Sequence, residues 1–531
     1  MLFTSYEFLL FLAIVLILYY LIPKRFRWML LLVFSYVYYA MADVRYLIFI
    51  GVTTLTTYAA GVFIENSREK SDSYLKLNKE TLTKEEKKAR KAALKKKIGR
   101  ILLACMLCNF GILAVMKYTN FTITNINHVL GWFHWATELS RVDWLLPLGI
   151  SFYTFQSMGY IIDVYRGTAR AEKNPLKFAL FVSFFPQLIQ GPISRWNDLS
   201  ESLFREHPFD LKTVSFGLQR ILWGYFKKLV IADRMLVAVN TLINSPEEYK
   251  GAYAFAGALF YAFELYCDFT GGIDITIGIA QALGITVTEN FQRPYFSKCI
   301  KEYWNRWHIT MGSWFTDYIF YPISVCKPML KFTKFSRKHF GEVIGKRMPV
   351  YVSCLVVWFA TGVWHGAAWN FIVWGLMNCV VILISQELEP LYRKFHERFP
   401  RLQGSFGWKS FQIVRTVLLM SSLRMFDCYR DVPLTFKMFG SIFTTMNWGE
   451  MLSTGLWNLG LDAWDWGILL AGLIIVFTVS MIQRSGSVRE KIYARPFAMR
   501  AAIWYVLFVL ILVFGHYGLG YDASQFIYNQ F

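Results

Sequence analysis

The stretch Val350–Ser385, VYVSCLVVWFATGVWHGAAWNFIVWGLMNCVVILIS, runs for 36 residues without Asp, Glu, Lys or Arg, and near its midpoint sits a single histidine, His365. A helix needs about 20 apolar residues to cross a bilayer, so the stretch is too long for one span. It has to go out and come back. Gly366, Ala367 and Ala368 offer a tight turn directly after the histidine. The reading is a membrane hairpin with an imidazole at its turn, either at lipid depth within protein or at the floor of a cavity.

The rest of the chain agrees with that reading. Of 531 residues, 55% are hydrophobic, 18% aromatic and only 17% charged, against roughly 25% charged in soluble domains. The formal net charge is +20, yet the basic residues bunch into short segments between apolar runs. That is the positive-inside pattern, with anionic headgroups of membrane lipid as the partner. No recognised RNA or DNA module accompanies the charge, which argues against nucleic acid. The eight cysteines are scattered. Cys105 and Cys108 form a CxxC within LLACMLCNFGILAV, without a second pair at ligand spacing, so they read as small hydrophobes and no metal is expected.

Topology follows from charge. FLLFLAIVLILYYLIP (Phe8–Pro23) has no basic segment before it and Lys24, Arg25 and Arg27 after it, and it lacks a small-residue cleavage pattern. It reads as an uncleaved first span with the N-terminus outside. Spans at Met29–Ala42 and Tyr46–Ile64 return the chain inward to Glu65–Arg100, its most basic loop. Glu86 and Arg90 there have helical spacing. Further spans are expected at Ile101–Met116, Trp144–Ile162, Ala179–Leu188, Phe216–Val239, Ala252–Leu283, Val350–Ser385, Phe411–Phe426, Trp466–Ile482 and Ala502–Phe514. Several are too short or too long for one crossing, so broken or re-entrant helices are expected among them. Thr119–Arg141 and Asp431–Asp465 then face outward. The expectation is an all-α polytopic membrane protein of about 11–13 spanning or re-entrant helices. It reads as one membrane domain over residues 1–531, with a motif-bearing core at 101–376 and extra C-terminal spans at 408–531.

Three places put polar groups where lipid penalises them. In YAFELYCDFTGGIDITIGIA, Glu264 and Asp268 share a helical face, and Gly271 and Gly272 offer a break before Asp274. These carboxylates fit ion pairs that lock the bundle, direct catalysis, or a proton or ion path. In NFQRPYFSKCIKEYWNRWHITMGSWFTDYIFYPI, Trp304 and Trp307 with Lys298 and Arg306 suit an interfacial or re-entrant helix at headgroup depth, and His308 follows. His365 is the third. Imidazole is the side chain whose ordinary pKa lies nearest neutrality, so both histidines are candidates for acid/base work.

Five motifs in order resemble the membrane-bound O-acyltransferase family: PLGISFYTFQSMGYIIDVYRG (Pro147–Gly167), FFPQLIQGPISR (Phe184–Arg195), YCDFTGGIDITIGIAQALG, ENFQRPYF with IKEYWNRWHITMGSWFTDYIFYPI, and TGVWHGAAWNFIVWGL (Thr361–Leu376). The bacterial branch that modifies alginate, peptidoglycan and teichoic acid is the most similar. The resemblance implies a ring of tilted helices around a thin central funnel. It places the family histidine on His365 and the second histidine on His308. Asn305 and Thr310 stand where the motif commonly has Arg and Ser, and YPISVCKPM replaces the usual YIPLGG.

It also implies an enzyme of the bacterial cytoplasmic membrane that moves an acetyl group from acetyl-CoA, a donor substrate rather than a resident cofactor, to an exported glycan. The expected partner is an extracytoplasmic SGNH-type acetyltransferase. His365 is the expected general base and His308 the group that orients or polarises the thioester. Asn305, Trp307, Asn370 and Asp268 are the expected substrate-binding side chains, and Asn305 and Asn370 are candidate oxyanion donors. The alternatives are D-alanyl transfer from a carrier protein to teichoic acid, and a proton-coupled transporter using Glu264, Asp268, Asp274 and the histidines. The three spans beyond Leu376 favour acetyl over D-alanyl transfer.

Overall fold

Apolar runs become helices because a backbone in lipid has to satisfy its own hydrogen bonds. The computed structural model describes residues 2–135, 138–144 and 146–518. Residues 519–531 of the expected C-terminal region, 136–137 of an expected outward stretch and Leu145 of an expected span lie outside the described residues. The structure is 79% helical, and among the described residues six helices are long and apolar enough to cross a membrane. This is an integral membrane protein. It divides into two compact units, Met1–Val214 with Ile279–Thr288, and Ser215–Gly278 with Glu289–Phe531.

The first unit holds α1 (Tyr6–Leu21), α2 (Arg27–Ala40), α3 (Tyr46–Leu77), α4 (Lys84–Trp132), α5 (Ile150–Arg166), α6 (Pro175–Ser183) and α7 (Trp196–Phe204). Helices α1 and α2 pair through rings, Phe11 on Phe34 at 5.6 Å and Phe8 on Tyr38 at 5.9 Å. Helix α5 is buried on every side from Phe152 to Val164, so it forms the core of this unit. Its C-terminal carbonyls are capped by Arg68, whose Nη2 donates to Val164 O and Tyr165 O at 2.9 Å each. Gly167 turns the chain away with φ 81°, as the left-handed cap position requires.

The basic loop expected at 65–100 is a helical hairpin. Helices α3 and α4 carry their apolar spans onward as charged helix and turn between Leu77 and Lys84. Glu86 and Arg90 lie one turn apart on α4, as their spacing predicted, and each takes a different partner. Glu86 closes a capping box with Thr83 at the start of α4, and Arg90 lies over the Tyr74 ring at 3.6 Å. An orphaned helix N-terminus competes for the carboxylate, and an aromatic face competes for the guanidinium.

The second unit starts within α8 (Leu211–Tyr225) and takes in a π-helical segment Phe226–Ala232, α9 (Asp233–Asn244) and α10 (Ala252–Ala282) as far as Gly278. The break expected at Gly271 and Gly272 does not occur, since α10 is continuous. The glycines serve close packing instead. A Cβ on Gly271 would lie 2.9 Å from Gly224 O, and one on Gly278 would lie 2.8 Å from Gly217 O. Helix α8 therefore approaches α10 along a glycine seam, the small-residue packing that membrane helices use.

The chain continues through the short helices α11 (Ile300–Trp304), α12 (Ile309–Phe315) and α13 (Tyr321–Val325) to α14 (Lys327–His365) and α15 (Trp369–Glu387). Helix α14 is broken at Gly341, φ 75°. Gly345 then packs on the Ser336–Arg337 backbone, so the basic half doubles back from the apolar half. Beyond come α16 (Glu389–Arg398), α17 (Pro400–Gly404), α18 (Phe406–Tyr429), α19 (Val432–Thr444), α20 (Trp448–Ser453), α21 (Ala463–Ile482), α22 (Val488–Tyr493) and α23 (Phe497–Phe514).

Candidate active site

The hairpin read from Val350–Ser385 is present: α14 ends at His365 and α15 begins at Trp369. Its two arms cross at glycines. Gly362 sits against the Phe371 carbonyl, and a Cβ on Gly375 would lie 3.1 Å from Gly362 N. His365 is half-buried, with its ring 5.0 Å from Trp364 and 4.8 Å from Trp374 in edge-on contact. A histidine ending a membrane helix, walled by indoles, keeps its imidazole at a defined place.

His308 is set by a different device. The segment 289–293 pairs with 305–310 through an isolated bridge between Phe291 and Trp307, with Gln292 N donating to Arg306 O at 2.9 Å and Ile309 N to Asn290 O at 3.0 Å. His308 adopts a left-handed backbone, φ 48°, a strained state that non-glycine residues hold only when their surroundings dictate it. Asn290 supplies that constraint. Its Oδ1 accepts from Thr310 N at 3.1 Å and Thr310 Oγ1 at 3.0 Å, and lies 3.2 Å from His308 Nδ1. The imidazole, fully buried, packs on Phe269 at 5.0 Å and on Trp364 at 6.0 Å. One indole, Trp364, therefore touches both histidines, which lie 57 positions apart in the chain.

The other expected side chains separate into groups. Trp307 is buried, 3% exposed, in a box of aromatic rings, stacked on Tyr303 at 5.6 Å and 12°. Ring stacking and the Arg424 guanidinium, 5.0 Å from its ring centre, hold it inside the protein rather than against lipid. Asn370 is buried and donates Nδ2–H to Phe426 O at 3.1 Å, tying α15 to α18. Asn305 is exposed at the end of α11, and no hydrogen bond of its side chain joins it to either histidine.

Asp268 belongs to a separate cluster. Lys228 Nζ, from the π-helical segment, lies 2.6 Å from Asp268 and 2.7 Å from Asp233, all three fully buried. Glu264 is one helical turn away on α10. Asp274 pairs with Lys227 at 2.6 Å and Arg220 at 2.8 Å. Of the readings open for these carboxylates, this geometry favours ion pairs that lock helices together.

Sequence reasoning missed Arg424. It comes from α18 and is buried, 5% exposed. Its Nη1 donates to Asp427 at 2.7 Å. The guanidinium carbon lies 5.0 Å from the ring centres of Trp307 and Trp374 and 5.9 Å from that of Trp304. Trp374 is the ring against His365, and Trp307 adjoins His308 in the chain. One fixed positive charge thus stands behind the aromatic walls of both histidines, and its buried Nε makes no hydrogen bond. The signal was available, since Arg and Asp inside the apolar stretch LLMSSLRMFDCY break the same rule that singled out Glu264.

A half-buried histidine at a membrane hairpin turn, a buried histidine beside it, a fixed cation and aromatic walls are the parts that general acid/base chemistry in an integral membrane protein calls for. The model of MBOAT, the membrane-bound O-acyltransferase family, matches residues 169–337. A protein of Azotobacter vinelandii named "Probable alginate O-acetylase" is 34% identical over 84% of this chain and 79% of its own. A protein of the same description from Pseudomonas aeruginosa is 30% identical over 90% of this chain and 81% of its own. A peptidoglycan O-acetyltransferase of Helicobacter pylori is 30% identical over 57% of this chain and 58% of its own. The chain belongs to the membrane-bound O-acyltransferase family, and it is an O-acyltransferase.

Proposed function

We propose that this enzyme moves an acetyl group from cytoplasmic acetyl-CoA to an exported cell-wall or exopolysaccharide glycan, with an extracytoplasmic SGNH-type transferase completing delivery. The enzyme sits in the bacterial cytoplasmic membrane with its N-terminus outside. The observation that carries the reading is the meeting of His365 and His308 on Trp364, at the turn of a membrane hairpin. The relatives named for alginate and peptidoglycan O-acetylation support a glycan acceptor.

In the transfer, the acceptor hydroxyl oxygen attacks the thioester carbonyl carbon while the His365 imidazole takes the hydroxyl proton. The C–S bond then breaks, and the proton passes to the leaving thiolate. His308, pinned by Asn290, orients the carbonyl, and the Arg424 charge favours the oxyanion through its indole surround. Trp307 and Asn370 hold the walls. Asp268 and Asn305 are placed for structure and for the exposed side of α11, respectively.

The test is acetyl transfer by the purified protein from labelled acetyl-CoA to a glycan acceptor together with an SGNH-type transferase. His365→Ala is expected to lower the rate about a thousandfold while the protein inserts and purifies normally. Retained transfer would overturn the role of His365. Activity with an aminoacylated carrier protein, and none with acetyl-CoA, would move the donor to D-alanine.

A further inference from the structure

A cavity of about 660 Å³ lies within the second unit, between α8, the π-helical segment, the 289–293 segment, α21, α22 and α23. Four cationic side chains line it, Arg220, Lys227, Arg293 and Arg489, against two carboxylates, Asp274 and Glu289. Both carboxylates are already committed. Arg220 binds Asp274 at 2.8 Å and Glu289 at 2.5 Å, and Lys227 binds Asp274 at 2.6 Å. Among the described residues Arg293 has no ion-pair partner, so the lining carries a surplus of positive charge.

Arg293 holds part of that surplus in a strained place. Its backbone is left-handed, φ 49°, and among the described residues its guanidinium makes a long 3.5 Å contact to Ser480 O and no ion pair. A guanidinium without a carboxylate is open to a phosphate. The Trp504 indole N–H, on α23, also lines the cavity and is buried without an acceptor among the described residues. Ile475 and Val479 of α21 and Ile503, Leu507 and Leu510 of α23 give the lining an aliphatic part, on two helices long and apolar enough to cross a membrane. Val506 lines the cavity and is 54% exposed, so the cavity opens toward the lipid-facing side of α23.

We infer that this cavity binds a phosphate-bearing amphiphile, an anionic phospholipid of the surrounding leaflet, with its phosphodiester between Arg293 and the Trp504 N–H and its acyl chains along α21 and α23. A soluble nucleotide thioester carries the same phosphate chemistry, but the aliphatic part of the lining and the lipid-side opening match acyl chains better than a polar amide arm. The site also reaches the histidines. Phe291 lines the cavity and packs on His308 at 6.5 Å and on Trp307 at 5.1 Å. The bound lipid thus braces the segment that pins His308, and acyl transfer depends on it; that last dependence rests on the function proposed above, whereas binding does not.

Binding is measured on the full chain carrying His365→Ala, in detergent, by native mass spectrometry. The probes are phosphatidylglycerol, phosphatidylcholine and coenzyme A, each titrated separately. Phosphatidylglycerol is expected to bind better than phosphatidylcholine, and Arg293→Gln is expected to weaken it about tenfold. Arg293→Lys should recover part of the loss, and Trp504→Phe, which keeps the ring and deletes the donor, should weaken it less. Unchanged thermal unfolding separates these effects from misfolding. Equal binding of the two lipids, or indifference to both Arg293→Gln and Trp504→Phe, would overturn the site. Coenzyme A binding that needs Arg293, with no preference between the lipids, would overturn the lipid and leave the phosphate chemistry with a soluble donor.

Discussion

Lys228 lies 2.6 Å from Asp268 and 2.7 Å from Asp233, whereas His365 meets indole edges on two sides. Both regions place polar groups in surroundings that penalise them, and they meet the cost in opposite ways. In the lysine cluster opposite charges pair directly, which spends the chemistry of its members on holding α9, α10 and the π-helical segment together. At the histidines the neighbours are aromatic. Aromatic walls position a ring by its faces and edges, and a nearby charge, Arg424, is held behind those walls and anchored by Asp427. Paired charge marks a lock, and an imidazole among indoles marks a site.

Breaking the lock should cost stability and not chemistry. Lys228→Met leaves Asp233 and Asp268 buried without their cation, and unfolding in detergent is expected to be easier by about 3–5 kcal/mol. Adding Asp268→Asn should return part of that. If Lys228→Met instead folded as the parent does but lost transfer, the cluster would belong to the chemistry.

Arg424→Lys sharpens the other side. It keeps the charge and loses the flat guanidinium that stacks on three indoles, so kcat is expected to fall about tenfold with KM little changed. Arg424→Met should fall further, because it also strands Asp427. Equal rates for the lysine and methionine variants would show that the charge plays no part.

Asn290→Ala tests whether strain at His308 is imposed from outside. Losing the acceptor for Thr310 is expected to cost about 1–2 kcal/mol of stability and to reduce turnover several-fold. Unaltered turnover would detach His308 from the reaction.

The smallest effect belongs to an exposed ion pair far from both regions. Glu247 lies 2.6 Å from Lys250 and 2.5 Å from Lys437, and hydrogen bonds to those ammonium groups hold its carboxyl down at about 2. A lowered carboxylate pKa contributes stability that is present above the ordinary glutamate value, about 4.3, and is lost as pH falls toward 2. The gap in unfolding temperature between the parent and Glu247→Gln should be small at pH 6 and should close as pH approaches 2. A gap that widened toward low pH would reverse the sign.

Much of this was legible in one dimension. Hydropathy set where helices lie, and the length of Val350–Ser385 called for a hairpin with His365 at its turn. Other elements were misread because the same residue serves two physical ends. Gly271 and Gly272 offer a break by composition, but α10 runs on through them, and Gly271 with Gly278 lets α8 approach it. Trp307 suits an interface by composition, yet it stacks inside on Tyr303 and Arg424. Lys227 and Lys228 passed unremarked in an apolar run, and their partners Asp268 and Asp274 looked available for that reason. Arg424 and Asp427 broke the same rule but lay beyond the motifs that drew attention.

The sequence by itself determined that this is a helical membrane protein with two histidines in apolar surroundings, since lipid excludes charge wherever a charge has no purpose, and the exceptions stand out in the residue order. Only the tertiary structure decided which exceptions are locks and which are a site. Whether a buried polar group is neutralised or left for chemistry depends on what packs against it. Trp364 between two histidines 57 positions apart and Arg424 from a later helix are neighbours in space alone.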